Sequence, residues 1–163
     1  MDRRRVTMGL ALAGLGTFAT KAAAQSGTEN PLIAAFAKTL TAHDINAFAA
    51  LFADDYVNHQ VSAAAPKPAA GVTAKQGTVG YFAARLKGIP DLSVAIEASL
   101  ASGDMAAASF VYTGTHRGAY FGVAPTGKSL RFTSCDIFRI RDGKIAEHWG
   151  MGDIAGTLAQ LKG

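Results

Sequence analysis

The chain has 163 residues, 49% of them hydrophobic and 17% charged, with one cysteine and a formal net charge of +4. That length suits a single domain that buries roughly two thirds of its unfolded surface, so folding requires no disulfide framework or structural metal. A lone Cys135 excludes an internal disulfide and a multi-cysteine zinc site, and the positive balance invites a nucleic-acid reading that the position of the charges withdraws.

The excess charge sits at the start. Arg3, Arg4 and Arg5 precede an apolar run from Met8 to Ala19, and Ala22-Ala23-Ala24 follows. A basic segment, a short apolar segment and small residues before a cleavage point form a secretory signal peptide. The apolar run is shorter than the ~20 residues that span a bilayer. The expected organisation is a signal peptide over 1–24 and one domain over 25–163. Removing 24 residues leaves 139, and takes away four of the 16 basic side chains and one of the 12 acidic ones. The remainder carries a net +1, so no nucleic-acid partner is expected, nor stable membrane insertion after cleavage. Arg3-Arg4-Arg5-Val6-Thr7-Met8 resembles a twin-arginine export signal but lacks a following Phe-Leu pair, which leaves the general secretory route open. Either route implies a periplasmic or secreted location.

Asn30 as cap and Pro31 at the first helical position predict a helix carrying Leu32, Ile33, Phe36, Ala37 and Leu40 on one face. Asp44 caps a second, short helix over 45–52, with Ala47, Phe48 and Leu51 inward. Residues 54–59 read as an extended piece, and 62–71 as a loop rather than an interdomain linker. A third helix over about 75–86 presents Val79, Phe82 and Leu86 inward with Tyr81 at the edge of that face. After Pro90 the period becomes alternating: Leu92, Val94 and Ile96 against Ser93, Ala95 and Glu97 mark a half-buried strand. A turn at Gly103-Asp104 leads to a second strand over 105–115, with Phe110 and Tyr112 on one side. A glycine-rich excursion over 118–127 precedes a third strand over 130–140. Asp142-Gly143 is a strong hairpin signal before a fourth strand over 144–151. A short helix over 154–161 closes the chain. Helices first and long antiparallel strands afterwards make an α+β pattern. The expected architecture is a cone-shaped, curved antiparallel sheet wrapped around the N-terminal helices, open at one end as a ligand mouth.

No nucleophile elbow, phosphate-binding loop, dinucleotide fingerprint or zinc-protease motif is present. Candidate chemistry rests on polar residues inside apolar elements. On the third strand Phe132, Ser134, Asp136, Phe138 and Ile140 share one face, and Arg131, Thr133, Cys135, Ile137 and Arg139 share the other. Asp136 thus projects among apolar neighbours, where burial fits it for acid–base work; satisfaction by backbone amides or a basic neighbour is the structural alternative. Cys135 reads as a small buried residue. On the fourth strand Glu147 and Trp149 face one way and His148 the other. His148 acts near neutral pH if inward and is a surface or interface residue otherwise. Trp149 offers a flat wall for a ring-shaped ligand. Asp153 serves either as an acid–base group or as the cap of the last helix. Tyr56 and Asn58, two apart on an extended piece, face the same side, next to His59. His116 lies at a strand end leading into the glycine loop. The spacings of His59, His116 and His148 follow no metal motif, so no metal is expected.

Taken in order, Asp54-Asp55-Tyr56-Val57-Asn58-His59, Pro90-Asp91-Leu92, Gly114-Thr115-His116-Arg117-Gly118, Pro125-Thr126-Gly127-Lys128 and the run Asp136 to Trp149 resemble the SnoaL-like polyketide (ester) cyclases of the nuclear transport factor 2-like superfamily. The superfamily also holds ketosteroid isomerases, limonene epoxide hydrolases, dehydratases and domains that only bind or dimerise. The resemblance implies a cofactor-free intramolecular aldol cyclisation of a small apolar carbonyl compound. Asp136, His148 and Asp153 are then the acid–base candidates. Tyr56, Asn58, His59, His116 and Trp149 are the substrate-binding candidates. It also implies a homodimer formed through the sheet. Two other readings stand beside the enzyme. One is a non-catalytic exported domain that binds a hydrophobic ligand. The other is an epoxide-hydrolase-like enzyme, which needs two carboxylates in its cavity.

Overall fold

The computed structural model describes residues 30–60 and 68–163. The expected signal peptide and residues 62–67 of the expected loop lie outside the described residues. No described helix is long and apolar enough to cross a membrane.

Helix α1 (Pro31–Thr41) starts as its sequence dictates: Leu32 N–H donates to Asn30 Oδ1 at 2.9 Å, and Pro31 occupies the first turn. Helix α2 (Ile45–Ala49) is capped by Asp44, whose Oδ1 accepts from Ala47 N–H at 2.8 Å. It is shorter than expected because Phe52 opens strand β1 (Phe52–Asn58) instead of ending the helix. Helix α3 (Ala74–Gly88) begins at a capping box in which Thr73 and Gln76 satisfy each other's backbone N–H. Strands β2 (Ser93–Ser102), β3 (Met105–Thr115), β4 (Ser129–Arg141) and β5 (Lys144–Gly152) follow, then helix α4 (Ile154–Lys162).

The five strands form one curved, unclosed sheet in the order β1-β5-β4-β3-β2. Strands β2 to β5 are a meander of antiparallel pairs, whereas β1 pairs with β5 in parallel. Asp142 and Gly143, both at positive φ, make the tight turn between β4 and β5. Beyond this turn the ladder slips: Ile140 faces Ile145, but Arg139 faces Glu147, which leaves Ala146 as an extra residue in β5. Ile145 and Ala146 are therefore both buried.

Phe36 sits at the centre of the core, with ring centroids 5.0–5.5 Å from those of Phe48, Phe82, Phe110 and Phe138. The core thus joins α1, α2 and α3 to the inner face of β3 and β4. Leu130, Phe132, Asp136 and Phe138 are buried on β4, while Arg131, Cys135 and Ile137 are exposed on its outer face. Cys135 accordingly corrects the expectation of a buried thiol: strand alternation carries it outward. On α3 Thr78, Phe82 and Arg85 are buried, while Val79 and Leu86 are partly buried and pack against the core beside Phe82 as expected. The helix is turned so that polar side chains point inward, which an apolar-periodicity reading cannot anticipate.

Candidate active site

Asp136 and His148 meet on the inner face of the β4–β5 hairpin. Across the ladder Asp136 faces Gly150 and His148 faces Phe138, so the two form a diagonal pair. His148 Nε2 lies 2.8 Å from Asp136 Oδ1, and both side chains are more than nine-tenths buried. Ser134 Oγ donates to Asp136 Oδ2 and lies 3.3 Å from the Tyr112 hydroxyl. Phe138 stacks on the imidazole at 5.1 Å. His148 Nδ1 is buried without a hydrogen-bond partner among the described residues. The tautomer with Nε2–H donated to Asp136 leaves at Nδ1 an idle lone pair rather than a stranded N–H. The carboxyl group is held on one oxygen by an imidazole and on the other by a hydroxyl.

This pair opens on a cavity of about 420 Å³. One wall is α3, through Thr78, Tyr81, Phe82 and Arg85; the opposite wall is the sheet, through Tyr112, Ser134, Asp136 and His148. Asn58 and Gln60 lie at the end of β1, with Pro68, Ala69 and Val72 on the chain leading into α3. The surface is largely apolar, with a few convergent polar groups, as small-molecule sites are. Asp136 is the one carboxylate lining it among the described residues. The two-carboxylate, epoxide-hydrolase-like arrangement is therefore not formed among the described residues.

Of the acid–base candidates, the fold brings Asp136 and His148 together and leaves Asp153 apart. Asp153 is exposed and accepts from Gly156 N–H at 2.8 Å as the cap of α4. Of the binding candidates, Asn58 lines the cavity, with its amide donated to Thr78 at 3.2 Å. Tyr56 is buried one layer behind, its hydroxyl 3.4 Å from Thr78 Oγ1, and does not reach the cavity. His59 and Trp149 are on the opposite side of the sheet from His148. Their rings stack at 4.4 Å and 5°, and His59 Nε2 is 2.7 Å from Glu147. The His59 hydrogen bond, followed by the charge of Arg139, holds the Glu147 carboxyl below its ordinary value. His116 is fully buried under the glycine-rich loop, bonded to Thr126 at 3.0 Å, and does not line the cavity.

The misplacement of Trp149 has a definite cause. A hairpin continued regularly from Asp142-Gly143 would set Asp136 opposite Trp149 and on its face. The extra residue Ala146 shifts the register by one, sends Trp149 outward and brings His148 in.

Sequence reasoning missed Arg85, Ser134 as a partner of Asp136, and the cavity hydroxyls of Tyr81 and Tyr112. The available signal for Arg85 was its spacing: Thr78, Phe82 and Arg85 recur at helical intervals, and a charged residue on the face that carries Phe82 marks a cavity wall.

A family model described as SnoaL-like polyketide cyclase matches residues 31–161. Among solved structures, IdmH of Streptomyces antibioticus, a proposed polyketide cyclase, is 29% identical with a TM-score of 0.68, over 82% of this chain and 97% of its own. AclR of Streptomyces galilaeus, a proposed hydroxylase, is 25% identical with a TM-score of 0.68, over 81% of this chain and 79% of its own. A Catenulispora acidiphila protein of ketosteroid isomerase-like fold, crystallised with trimethylamine, is 24% identical with a TM-score of 0.62, over 84% of this chain and 95% of its own, and shares the fold. None of the curated proteins matches the chain significantly.

Proposed function

The chain belongs to the SnoaL-like polyketide cyclase family, and from that premise we propose that it is a small cyclase- or lyase-type enzyme working by acid–base chemistry on a carbonyl compound. The observation that carries this reading is the buried Asp136–His148 pair, 2.8 Å apart, opening on an apolar cavity.

In this reading Asp136 removes a proton from a methylene flanked by carbonyls. The resulting enolate carbon attacks a second carbonyl of the same molecule. A carbon–carbon bond forms, and the second carbonyl oxygen becomes an alkoxide. Asp136 then returns the proton to that alkoxide. Atoms and charge balance with no redox change, so the sequence of steps requires no cofactor. His148 is a positioning residue: its Nδ1 is closed off from solvent, so it acts through Asp136 by holding the carboxyl group in place through a hydrogen bond. Such acid–base help contributes about 10²- to 10⁴-fold in rate, and holding the substrate folded contributes more.

A model reaction tests this without the natural substrate. An aryl β-keto ester in deuterated water exchanges its methylene protons, which proton NMR follows directly. The protein is expected to accelerate that exchange, and Asp136→Asn to lower the acceleration by about 10²- to 10⁴-fold. Binding of the ester with no acceleration would leave a non-catalytic ligand-binding domain of the same fold.

We further propose that the chain is exported, supported by the basic, apolar and small-residue order of its first 24 residues. Pairing of two copies through the outer sheet face is proposed as well, supported by Ile137 and Met151 exposed there.

A further inference from the structure

Arg85 is the one buried lysine or arginine among the described residues, at 7% exposure, and no carboxylate pairs with it. Its Nε–H donates to the Tyr120 hydroxyl and its Nη2 to the Tyr81 hydroxyl, each at 3.0 Å. A guanidinium carries five N–H donors; with the Tyr112 hydroxyl as a further neighbour, at least two stay without an acceptor among the described residues. The charge is instead wrapped by ring faces. The guanidinium carbon lies 4.7 Å from the centroid of Tyr112, 4.8 Å from Phe82, 5.0 Å from Tyr81 and 5.2 Å from Phe132. Aromatic faces and neutral hydroxyls stabilise a cation without neutralising it. The positive potential therefore persists, in surroundings that screen it poorly. Arg85 also lines the same cavity as Asp136.

The two charged groups are arranged along that cavity. Arg85 lies over the Tyr112 ring, the Tyr112 hydroxyl is next to Ser134, and Ser134 donates to Asp136. One tyrosine side chain thus separates the Arg85 cation from the Asp136 carboxyl group. An amphiphilic anion entering here has one favoured direction, with its negative end on Arg85 and away from Asp136. N–H donors left unpaired at a cavity wall cost free energy unless water or a ligand takes them.

Resting on the reading of the cavity as the substrate site, we infer that Arg85 with its tyrosine hydroxyls is a carboxylate-binding subsite, and that the substrate is a carboxylate-bearing carbonyl compound whose activated C–H reaches Asp136. Unused N–H donors of the guanidinium would bind the carboxylate by charge-assisted hydrogen bonds.

The test is a binding comparison between 2-naphthoate and the neutral, similarly shaped 2-acetylnaphthalene, by isothermal titration calorimetry on the full chain. The wild type is expected to prefer naphthoate by about tenfold or more. Arg85→Met is expected to abolish that preference while the neutral ketone keeps its affinity, and Arg85→Lys to retain part of it. No preference in the wild type, or equal loss of both ligands in a folded Arg85→Met, overturns the inference. If Arg85→Met does not fold by circular dichroism, the Arg85 Nε–H resonance of the wild type decides. A shift with naphthoate and not with the ketone supports the subsite, and no shift overturns it. Asp136→Asn should bind naphthoate at least as tightly as the wild type. Binding therefore stands or falls separately from proton exchange: naphthoate bound without any exchange activity sinks the catalytic reading alone.

Discussion

Gly150 is the residue on which the Asp136–His148 contact depends. A Cβ built there would lie 2.6 Å from Asp136 Oδ1 and 2.7 Å from His148 Nε2, in collision with both partners of the hydrogen bond. A strand glycine of this kind marks a close approach of other groups. Gly150→Ala is therefore expected to push the pair apart at an overpacking cost of about 1–3 kcal/mol. Proton exchange should fall by about 10²-fold, as small misplacements of reacting groups do. Thermal denaturation alongside exchange kinetics checks it; a rate equal to wild type would show that the pair is not the acid–base centre. At this scale the sequence revealed each partner but not the partnership. Asp136 was legible from alternation along its own strand, whereas the inward turn of His148 and the diagonal contact depend on the register between the strands.

At the scale of elements, Asp153 separates two readings that sequence left open. Its side chain caps α4 and stays out of the cavity. Asp153→Ala should cost about 1 kcal/mol of stability and leave the exchange rate unchanged, while Asp153→Asn, which caps as well, should cost little. A drop in exchange without loss of stability would return Asp153 to the chemistry. Helix α3 teaches the complementary lesson. Its extent was legible within two residues at each end, and so was its apolar stripe, but not the buried polar residues beside that stripe. Apolar periodicity finds the stripe that packs against a core, and α3 in addition turns Thr78 and Arg85 toward a cavity. Hydrophobic patterning fails where a helix serves a site.

For the whole molecule, burial leaves a mark on alkaline stability. Burial, only partly offset by Arg85, pushes the Tyr120 phenol up from 10.0 to about 12, and burial raises Tyr56 and Tyr112 as well. The folded chain thus keeps phenolic protons above pH 10 that the unfolded chain releases, so this stabilisation is complete below about pH 10 and is lost as pH rises toward the folded values. Urea denaturation at about pH 9 and about pH 11 should show the decline, with phenolate absorbance appearing mainly on unfolding. Flat stability across that window would contradict the burial. The sequence by itself determined the α+β class, the element order, the inward side of β4 and the caps of α1 and α2, because these follow from local periodicity and side-chain hydrogen bonding between neighbours in the chain. Tertiary contacts settled the parallel pairing of β1 with β5, the burial of Thr78 and Arg85 on α3, and the exchange of Trp149 for His148 beside Asp136. Each depends on contacts between residues distant in the chain or on one inserted residue in a ladder. In a sheet of period two, a single extra residue reverses every side chain beyond it.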